Sequence, residues 1–444
     1  MISSLFQAHD REFVIGLPYW HPLCPLHPGH ARIYVLADLI AKHLRHAAGG
    51  STRVVTPYGS HYSGSTAAKW IDILQSDGDQ REALWRLLAR YGVADDVVAE
   101  FAAPEDILDH FTDQIIDNLR DMQCDVPEPV LRTIDPDYAA FVRETFDELE
   151  RRGALVVKGT QASLDYNSFL DEALEQTRAT QIFSHGNAEI LRVGIRANVD
   201  NRRNREDYFV DIFQPEGTGG HRTLSVNLRG VPLDPMHDSL LYDVYNSRTH
   251  AFELPVDLFL AEDHLSTWLG RKTFAECMLL EPTQRTRSYF ILGSGMFNGR
   301  HMSSSKGNAI FPSELAKTYG PRAVRVYLLL MGHPLNVFNV SGETYSQAVE
   351  AAARGVRRLD AAAWRLQGLR RSMPVEGDGS DLVGVFSRRL EDAFQSCSLD
   401  RYAQIAVFEL PRALNRIETS NEELEVFVRR VRDCVTGLPE DERP

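Results

Sequence analysis

The stretch Pro25-Leu26-His27-Pro28-Gly29-His30-Ala31-Arg32 lies between an apolar run at residues 13–17 and a periodic run at residues 33–44. An apolar run, then a loop, then a period of about 3.6 residues predicts a strand, a loop and a helix. Pro28 suits the first turn of a helix because it has no N–H to leave unpaired. The sequence therefore predicts a strand over 12–17 and a helix over 29–46, opened by two histidines three residues apart.

This helix start has the chemistry of a phosphate site. A helix N-terminus carries a partial positive charge that favours phosphate, and imidazole N–H groups donate hydrogen bonds where charge develops on phosphate oxygens. Gly29 has no side chain, so a ligand can lie against the backbone. The alternative is an ordinary helix start with two surface histidines, which a short motif of this kind equally allows.

Further apolar runs alternate with helical periods and define the fold class. Strands are expected at residues 54–55, 154–157, 254–261 and 288–292, and helices fill 66–120, 135–152 and 265–280. This alternation predicts an α/β fold with a doubly wound parallel sheet, whose ligands lie beyond the carboxyl ends of the strands. Beyond residue 341 four helical patterns, at 343–369, 382–399, 401–418 and 421–435, predict a small helix bundle, with a linker at 376–380 after the first helix.

Composition limits the class of protein. The chain has 444 residues, with 43% hydrophobic and 25% charged residues and no apolar run long enough for a membrane span. Its five cysteines form no CxxC pair, which argues against a disulfide framework and a cysteine zinc site. A cytoplasmic protein is expected. The net charge of −14 disfavours a large nonspecific nucleic-acid surface but leaves a local basic groove open.

A second stretch, Arg300-His301-Met302-Ser303-Ser304-Ser305-Lys306-Gly307-Asn308, lies far downstream. This stretch resembles the KMSKS signature of class I aminoacyl-tRNA synthetases, and His27-Pro28-Gly29-His30 resembles their HIGH signature. Three more segments are similar to the archaeal and eukaryotic leucyl enzymes: Pro18-Tyr19, residues 57–65 (PYGSHYSGS) and residues 320–327 (GPRAVRVY). The resemblance covers residues 12–70, 135–160 and 250–345, and identifies a truncated leucyl-tRNA synthetase-like protein.

The resemblance implies a Rossmann-like core of the class I (HUP) type, with a small mixed insert and a C-terminal helix bundle. Residues 1–160 and 251–340 would form the two halves of the catalytic domain. Residues 161–250, with strands at 190–195, 208–213 and 223–228, would be a connective insert without a full editing domain. Residues 341–444 would be a short bundle in the position of an anticodon-binding domain.

The resemblance also implies roles for single residues. The catalytic group would comprise His27, His30 and Lys306. Nucleotide would be held by a second group, consisting of Pro28, Gly29, Asp263, Met302, Ser303 and Ser305. The amino-acid pocket would be shaped by Tyr19, His61 and Ser63. No protein metal ligands are implied.

The second signature departs from the family pattern, because its two lysines fall on His301 and Ser304, although Arg300 and Lys306 lie close by. Three functions remain open. The first is a ligase-like enzyme that activates an amino acid, leucine being expected, with ATP, Mg²⁺ and tRNA. The second is a transferase that takes the amino acid from charged leucyl-type tRNA to a small-molecule amine without ATP. The third is a non-catalytic tRNA- or nucleotide-binding paralogue. The sequence does not indicate an oligomeric state.

Overall fold

The fold was analysed in a computed structural model of the chain. It describes residues 12–47, 52–158, 161–184, 191, 224–229, 231–302, 309–372 and 380–437. Most of the predicted insert strands, the 303–308 segment and residues 376–379 of the predicted linker lie outside these residues.

Five parallel strands form the central sheet, in the order β2-β1-β10-β11-β7. They are β1 (Glu12–Gly16), β2 (Arg53–Val55), β7 (Gln181–Phe183), β10 (Asp257–Ala261) and β11 (Ser288–Leu292). Strands β10 and β11 are buried almost throughout, as expected for strands covered on both faces. The predicted parallel α/β sheet is therefore confirmed.

In the described residues nine short strands lie outside this sheet. They are β3 (Gly59–Ser60), β4 (Leu131–Arg132), β5 (Leu155–Lys158), β6 (Gln161–Leu164), β8 (Asn227–Leu228), β9 (Val231–Pro232), β12 (Gly295–Phe297), β13 (Arg300–His301) and β14 (Phe338–Val340). Strand β12 pairs with β13 in a hairpin and with β14 in parallel, which makes a small three-stranded sheet.

The helices before residue 340 are α1 (Pro28–Ala47), α2 (Thr66–Gln75), α3 (Asp79–Arg90), α4 (Asp95–Glu100), α5 (Pro104–Asp121), α6 (Pro136–Arg151), α7 (Leu170–Ala179), α8 (Pro235–Asp238), α9 (Tyr242–Thr249), α10 (His264–Thr267), α11 (Leu269–Leu279), α12 (Pro312–Tyr319) and α13 (Pro321–Leu329). Those after it are α14 (Tyr345–Ser372), α15 (Ser380–Gln395), α16 (Leu399–Gln404), α17 (Leu410–Leu414) and α18 (Glu422–Thr436).

Helix α1 is buried on nearly all sides, including the polar residues Arg32, Asp38 and Lys42. A helix buried all round lies inside a protein rather than on its surface. One continuous apolar cluster joins α1 to the sheet residue Phe259 and to the C-terminal helices through residues such as Leu424. The helix that carries the two histidines is therefore a central element of the core.

The helix predicted over 401–418 is interrupted, because Ile405–Glu409 forms a π-helical segment between α16 and α17. Pro411 accounts for this break, since its ring displaces the carbonyl four residues earlier and it donates no hydrogen bond. The predicted strand at 223–228 is ordered as a strand only at Asn227–Leu228. The division into domains stays a prediction, although Gln181–Phe183, inside the predicted insert, forms an edge of the central sheet.

Candidate functional site

The candidate site lies where β1 and β10 end side by side. The two strands pair in parallel, with Gly16 opposite Leu258, so their carboxyl ends share one edge of the sheet. The loop after β1 carries Tyr19, His21 and His27, and the loop after β10 carries Asp263. The candidate residues of these two distant segments therefore follow neighbouring strand ends at one edge of the sheet.

His27 and His30 stack on each other, with ring centroids 4.0 Å apart. His27 also caps the helix, because its Nδ1 accepts a hydrogen bond of 3.1 Å from the Gly29 N–H. Its carbonyl accepts from the N–H groups of His30 and Ala31, both at 3.0 Å. The first-turn N–H groups are therefore used inside the chain rather than left for a ligand, which differs from the expectation for a bare helix N-terminus.

This cap decides which nitrogen of His27 carries the proton. Since Nδ1 accepts from Gly29, a neutral ring carries its proton on Nε2, which becomes a donor. Burial lowers the pKa of His27 well below its usual range. His30 is accessible at its surface, yet desolvation by the surrounding protein also lowers its pKa. Both rings are neutral hydrogen-bond donors at neutral pH.

Asp263 supplies negative charge opposite these rings. His264 Nδ1 lies 3.2 Å from Asp263 Oδ1, and this hydrogen bond is the largest influence lowering the Asp263 pKa. Asp263 acts electrostatically on both His27 and His30. A carboxylate beside two neutral imidazoles offers acceptors and donors to one ligand, as ribose hydroxyls and phosphate oxygens require.

Arg32 joins the start of α1 to α13 and to β14. Its buried guanidinium donates from Nε to the Leu328 carbonyl at 3.1 Å and lies 5.0 Å from the Phe338 ring centroid. A Cβ on Gly295 would come within 2.7 Å of that same ring, and a Cβ on Gly29 within 3.9 Å of the Gly295 Cα. The start of α1 therefore lies close to Gly295 on β12, where a side chain would clash with the Phe338 ring.

The second signature is described only in part. Met302 is buried in an apolar cluster with Phe338 and Val340, and its N–H donates to the Gly295 carbonyl at 3.0 Å. Arg300 and His301 are exposed on β13. The predicted ligands Ser303, Ser305 and Lys306 lie outside the described residues.

Tyr19, in the loop after β1, packs against α9. Its ring packs against Tyr242 with centroids 4.2 Å apart, and its hydroxyl accepts from Asn246 Nδ2 at 2.9 Å. A Cβ on Gly59 would stand 2.2 Å from the Tyr19 ring, so only glycine leaves room for it. The predicted pocket residue Tyr19 is thus held by α9, which the sequence did not associate with it.

His61 and Ser63 are buried beside a third residue, Asp238. His61 Nε2 lies 3.1 Å from Asp238 Oδ1, and the Ser63 hydroxyl donates to Asp238 Oδ2. His61 Nδ1 lies 3.1 Å from His21 Nε2. The structure therefore brings the two predicted residues together with His21 and Asp238, neither of which was predicted. A histidine in the loop after β1 was the one sequence signal for His21, and nothing in its neighbours singles out Asp238.

The site contains no metal centre within the described ranges, where three or more His, Cys, Asp or Glu residues nowhere group in a way that could hold an ion. Magnesium bound with nucleotide is held largely by phosphate oxygens and water. In the described part of the chain, each helix is too short or too polar to cross a membrane.

Known proteins match part of the sequence and nearly all of the fold. No family model matches the chain. The leucine–tRNA ligase of Methanopyrus kandleri is 29% identical over 161 residues, which are 35% of this chain and 16% of that enzyme. Leucine–tRNA ligase 2 of Sulfurisphaera tokodaii is 25% identical over 159 residues, again 35% of this chain and 16% of the enzyme. The matched segment thus spans about a sixth of each curated relative.

Solved structures cover much more of the chain. Mycobacterium tuberculosis methionyl-tRNA synthetase bound by methionyl-adenylate has a TM-score of 0.66 at 14% identity, covering 96% of this chain and 92% of that one. The ternary complex of Agrobacterium radiobacter K84 agnB2 LeuRS with tRNA and LeuAMS gives 0.64 at 12% identity, covering 97% and 84%. At such identities the likeness concerns the fold, which is that of the class I aminoacyl-tRNA synthetases.

Proposed function

On the premise that this chain is leucyl-tRNA ligase-like in sequence and class I synthetase-like in fold, we propose that it activates an amino acid, leucine foremost, with ATP. One observation carries the proposal: His27 and His30 stack at the start of α1, within electrostatic range of Asp263 at the end of β10. The amino-acid carboxylate attacks the α-phosphorus of ATP, and pyrophosphate leaves. The product is an aminoacyl-adenylate, for transfer to tRNA.

The neutral state of the two histidines suits this chemistry. His27 Nε2–H donates to phosphate oxygens without the strong ground-state binding that two cations would give ATP. Because the rings are already oriented by the cap and by stacking, they need little rearrangement when charge develops on the leaving pyrophosphate. Asp263 would accept from the ribose hydroxyls, and Gly29 would let the nucleotide lie against the backbone. ATP would bring Mg²⁺ with its phosphates.

The test is amino-acid-dependent ATP–pyrophosphate exchange, measured with each of the twenty amino acids, with and without tRNA. We expect a leucine signal that falls roughly 10²- to 10³-fold in His30→Ala, as for loss of one preorganised donor. His46→Gln is the control, because His46 lies about 24 Å further along the same helix by the rise per residue. Folded protein that gives no exchange with any amino acid contradicts the proposal.

A second candidate function rests on the second signature. The two family lysines that would neutralise pyrophosphate fall on His301, which is exposed, and on Ser304. An enzyme that takes leucine from charged tRNA and passes it to a small amine releases no pyrophosphate and needs neither lysine. Transfer of labelled leucine from leucyl-tRNA to small amines, without ATP, tests this candidate. Its success in protein that lacks exchange would favour it over activation.

A further inference from the structure

A cavity of about 660 Å³ lies between strand β14, the start of α14 and the π-helical segment Ile405–Glu409. It is lined by residues other than those of the candidate site. Its volume is typical of pockets that hold a small organic ligand, which measure about 300–1,000 Å³. Short π-helical segments in turn occur frequently at functional sites. The cavity therefore has the size and the kind of wall that a ligand site has.

The cavity forms because α14 and the π-helical segment touch at one point and separate from there. A Cβ on Gly355 of α14 would lie 3.2 Å from the Phe408 ring, so the two elements are in close contact at this position. Tyr345, ten residues earlier and about 15 Å along the helix by its rise per residue, lines the cavity instead. Between these two points α14 presents Ala348 and Ala351, whose small side chains leave the space unfilled.

The wall of the cavity is largely apolar and aromatic. Four of its side chains pack against the main core and are still only partly buried: Leu330, Met331, Tyr345 and Phe408. The buried ring of Phe338 on β14 also contributes to the wall. Aromatic rings favour a further ring stacked at an offset or edge to face, and a methionine sulfur makes favourable contacts with ring edges. The wall therefore favours a ligand with an aromatic body.

The rim of the cavity carries a positive charge that is not neutralised. Arg401 Nη1 lies 2.5 Å from Glu409 Oε1, and Arg389 pairs with the same carboxylate. Burial alone would raise the pKa of Glu409, but Arg389 and Arg401 together lower it, so the carboxylate is ionised and already paired. Arg412 is exposed at the rim, and within the described residues no carboxylate forms an ion pair with it. Since a guanidinium binds a carboxylate through two parallel hydrogen bonds, Arg412 favours a ligand with one anionic group.

We infer that this cavity binds a small aromatic carboxylic acid, with the ring against Met331 and Phe408 and the carboxylate at Arg412. The site is distinct from the one proposed for amino-acid activation and does not require that activity. The two are neighbours in the fold, because β14 lines the cavity and also pairs in parallel with β12, the first strand of the hairpin that leads into the second signature.

The test compares 1-naphthoate, 1-naphthamide and 1-naphthylmethylamine, which share one aromatic body and are an anion, a neutral molecule and a cation at pH 7. Binding is followed in protein with ¹³C-labelled methionine methyl groups. The Met331 methyl reports on the cavity, and the Met278 methyl, buried in the other large core cluster, is the internal control. We expect naphthoate to shift the Met331 resonance saturably and to leave Met278 in place. Affinity should fall roughly fivefold from the acid to the amide, the upper value for an exposed ion pair, and further for the amine.

Two variants separate recognition of the charge from recognition of the ring. Arg412→Gln, at an exposed position, should bind the acid and the amide equally well. Ala351→Phe fills the cavity and should abolish the Met331 shift with all three probes, with thermal unfolding as the check that the protein is folded. Arg354→Gln is the matched control, because Arg354 is exposed on α14 outside the cavity, and it should bind as the unchanged protein does. If Ala351→Phe does not fold, Arg412→Gln still decides.

Two results would overturn the inference: no saturable shift of the Met331 methyl with naphthoate, or equal affinities of the acid and the amide in the unchanged protein. A tRNA transcript that shifts Met331 where naphthoate does not would make this face a nucleic-acid contact instead of a site for a small acid. These measurements involve no ATP–pyrophosphate exchange. Failure of the proposed activation would therefore leave the acid site standing, and failure of the acid site would leave activation standing.

Discussion

Arg325 and Asp38 form an ion pair of 2.6 Å in the core, with both side chains almost completely buried. Arg325 lies on α13, in the 320–327 segment that resembles the leucyl enzymes, and Asp38 lies on α1. The same guanidinium donates to the carbonyls of Cys434 and Val435 at 2.9 and 3.0 Å. One side chain therefore ties the histidine-bearing helix to the last turn of α18.

We expect Arg325→Met to lower the free energy of unfolding by about 3–5 kcal/mol, because Asp38 is left buried without its main counter-charge. Urea denaturation followed by circular dichroism measures the loss. Arg354→Met is the matched control, since Arg354 is exposed on α14 and pairs with Glu350 at 3.3 Å. Its cost should stay within about 0.5 kcal/mol. Equal effects of the two substitutions would contradict the central role of Arg325.

His301→Lys should raise the rate of ATP–pyrophosphate exchange about tenfold or more, because it returns a cation to the place where the family has one. His301 is exposed, so the substitution should leave stability nearly unchanged. Steady-state exchange at saturating leucine measures the effect, and His301→Gln is the uncharged control. An equal rate in both variants would mean that charge at this position does not limit activation.

Gly59→Ala should displace the Tyr19 ring, because the added Cβ would stand 2.2 Å from it. Overpacking of this kind costs about 1–3 kcal/mol of stability, and the Tyr19–Asn246 hydrogen bond should be lost as well. Thermal unfolding and the KM for leucine measure the two effects. Gly368→Ala, at an exposed helical position with open space around it, should instead stabilise by about 0.5–1 kcal/mol. An unchanged KM in Gly59→Ala would exclude Tyr19 from the pocket.

Acid should destabilise the protein in two steps. Burial lowers the pKa of His237 in the folded chain. Below about pH 6.5 the unfolded chain therefore binds a proton at His237, whereas the folded chain leaves this ring neutral until a lower pH. Stability from such a group is complete above that pH and falls, by up to about 1.4 kcal/mol per pH unit, as the pH drops. Equilibrium unfolding measured between pH 8 and pH 3 should show this first decline, and His237→Gln should reduce it.

The second step comes from Asp38. Burial alone would raise the pKa of Asp38, but Arg325 and Lys42 together lower it. Its stabilising effect is therefore present above the unfolded value of about 3.9 and disappears as the pH falls further, toward the folded pKa. Asp38→Asn should be less stable at neutral pH and lack this second decline. If Asp38→Asn loses stability below about pH 3.9 as steeply as the unchanged protein does, Asp38 is not the cause of the second decline.

Much of the fold was accessible from the sequence because it depends on local periodicity. The apolar runs at β1, β10 and β11 and the long period of α14 predicted those elements closely. The helical pattern at 401–418 did not reveal the π-helical segment at Ile405–Glu409, which lies next to Pro411, and the helix ends at Leu414. Two-residue strands such as β3 carry too few residues for any periodic signal.

Some residues of the candidate site were predictable from the sequence, and others depend on tertiary packing. His27 and His30 come in the segment after β1, and Asp263 comes just after β10, so the pairing of these two strands accounts for their placement at one edge of the sheet. Asp238 and Asn246 reach the pocket from α8 and α9, and that approach depends on tertiary packing that no spacing in the sequence encodes. The capping role of His27 was also missed, because it is a property of ring orientation.

The contacts of Arg325 have a consequence for how such a chain can be recombined. Helix α1 carries His27 and His30 at its N-terminal end and packs along its length against the C-terminal helices. Near its C-terminal end, His46 Nε2 lies 2.7 Å from Asp433 Oδ2 on α18. A chimaera joined near residue 341 would replace the C-terminal helices, which contact the buried Arg325–Asp38 pair and the apolar side chains of α1, with those of another protein. Exchanging the C-terminal helices without α1, or α1 without them, should therefore destabilise the chain.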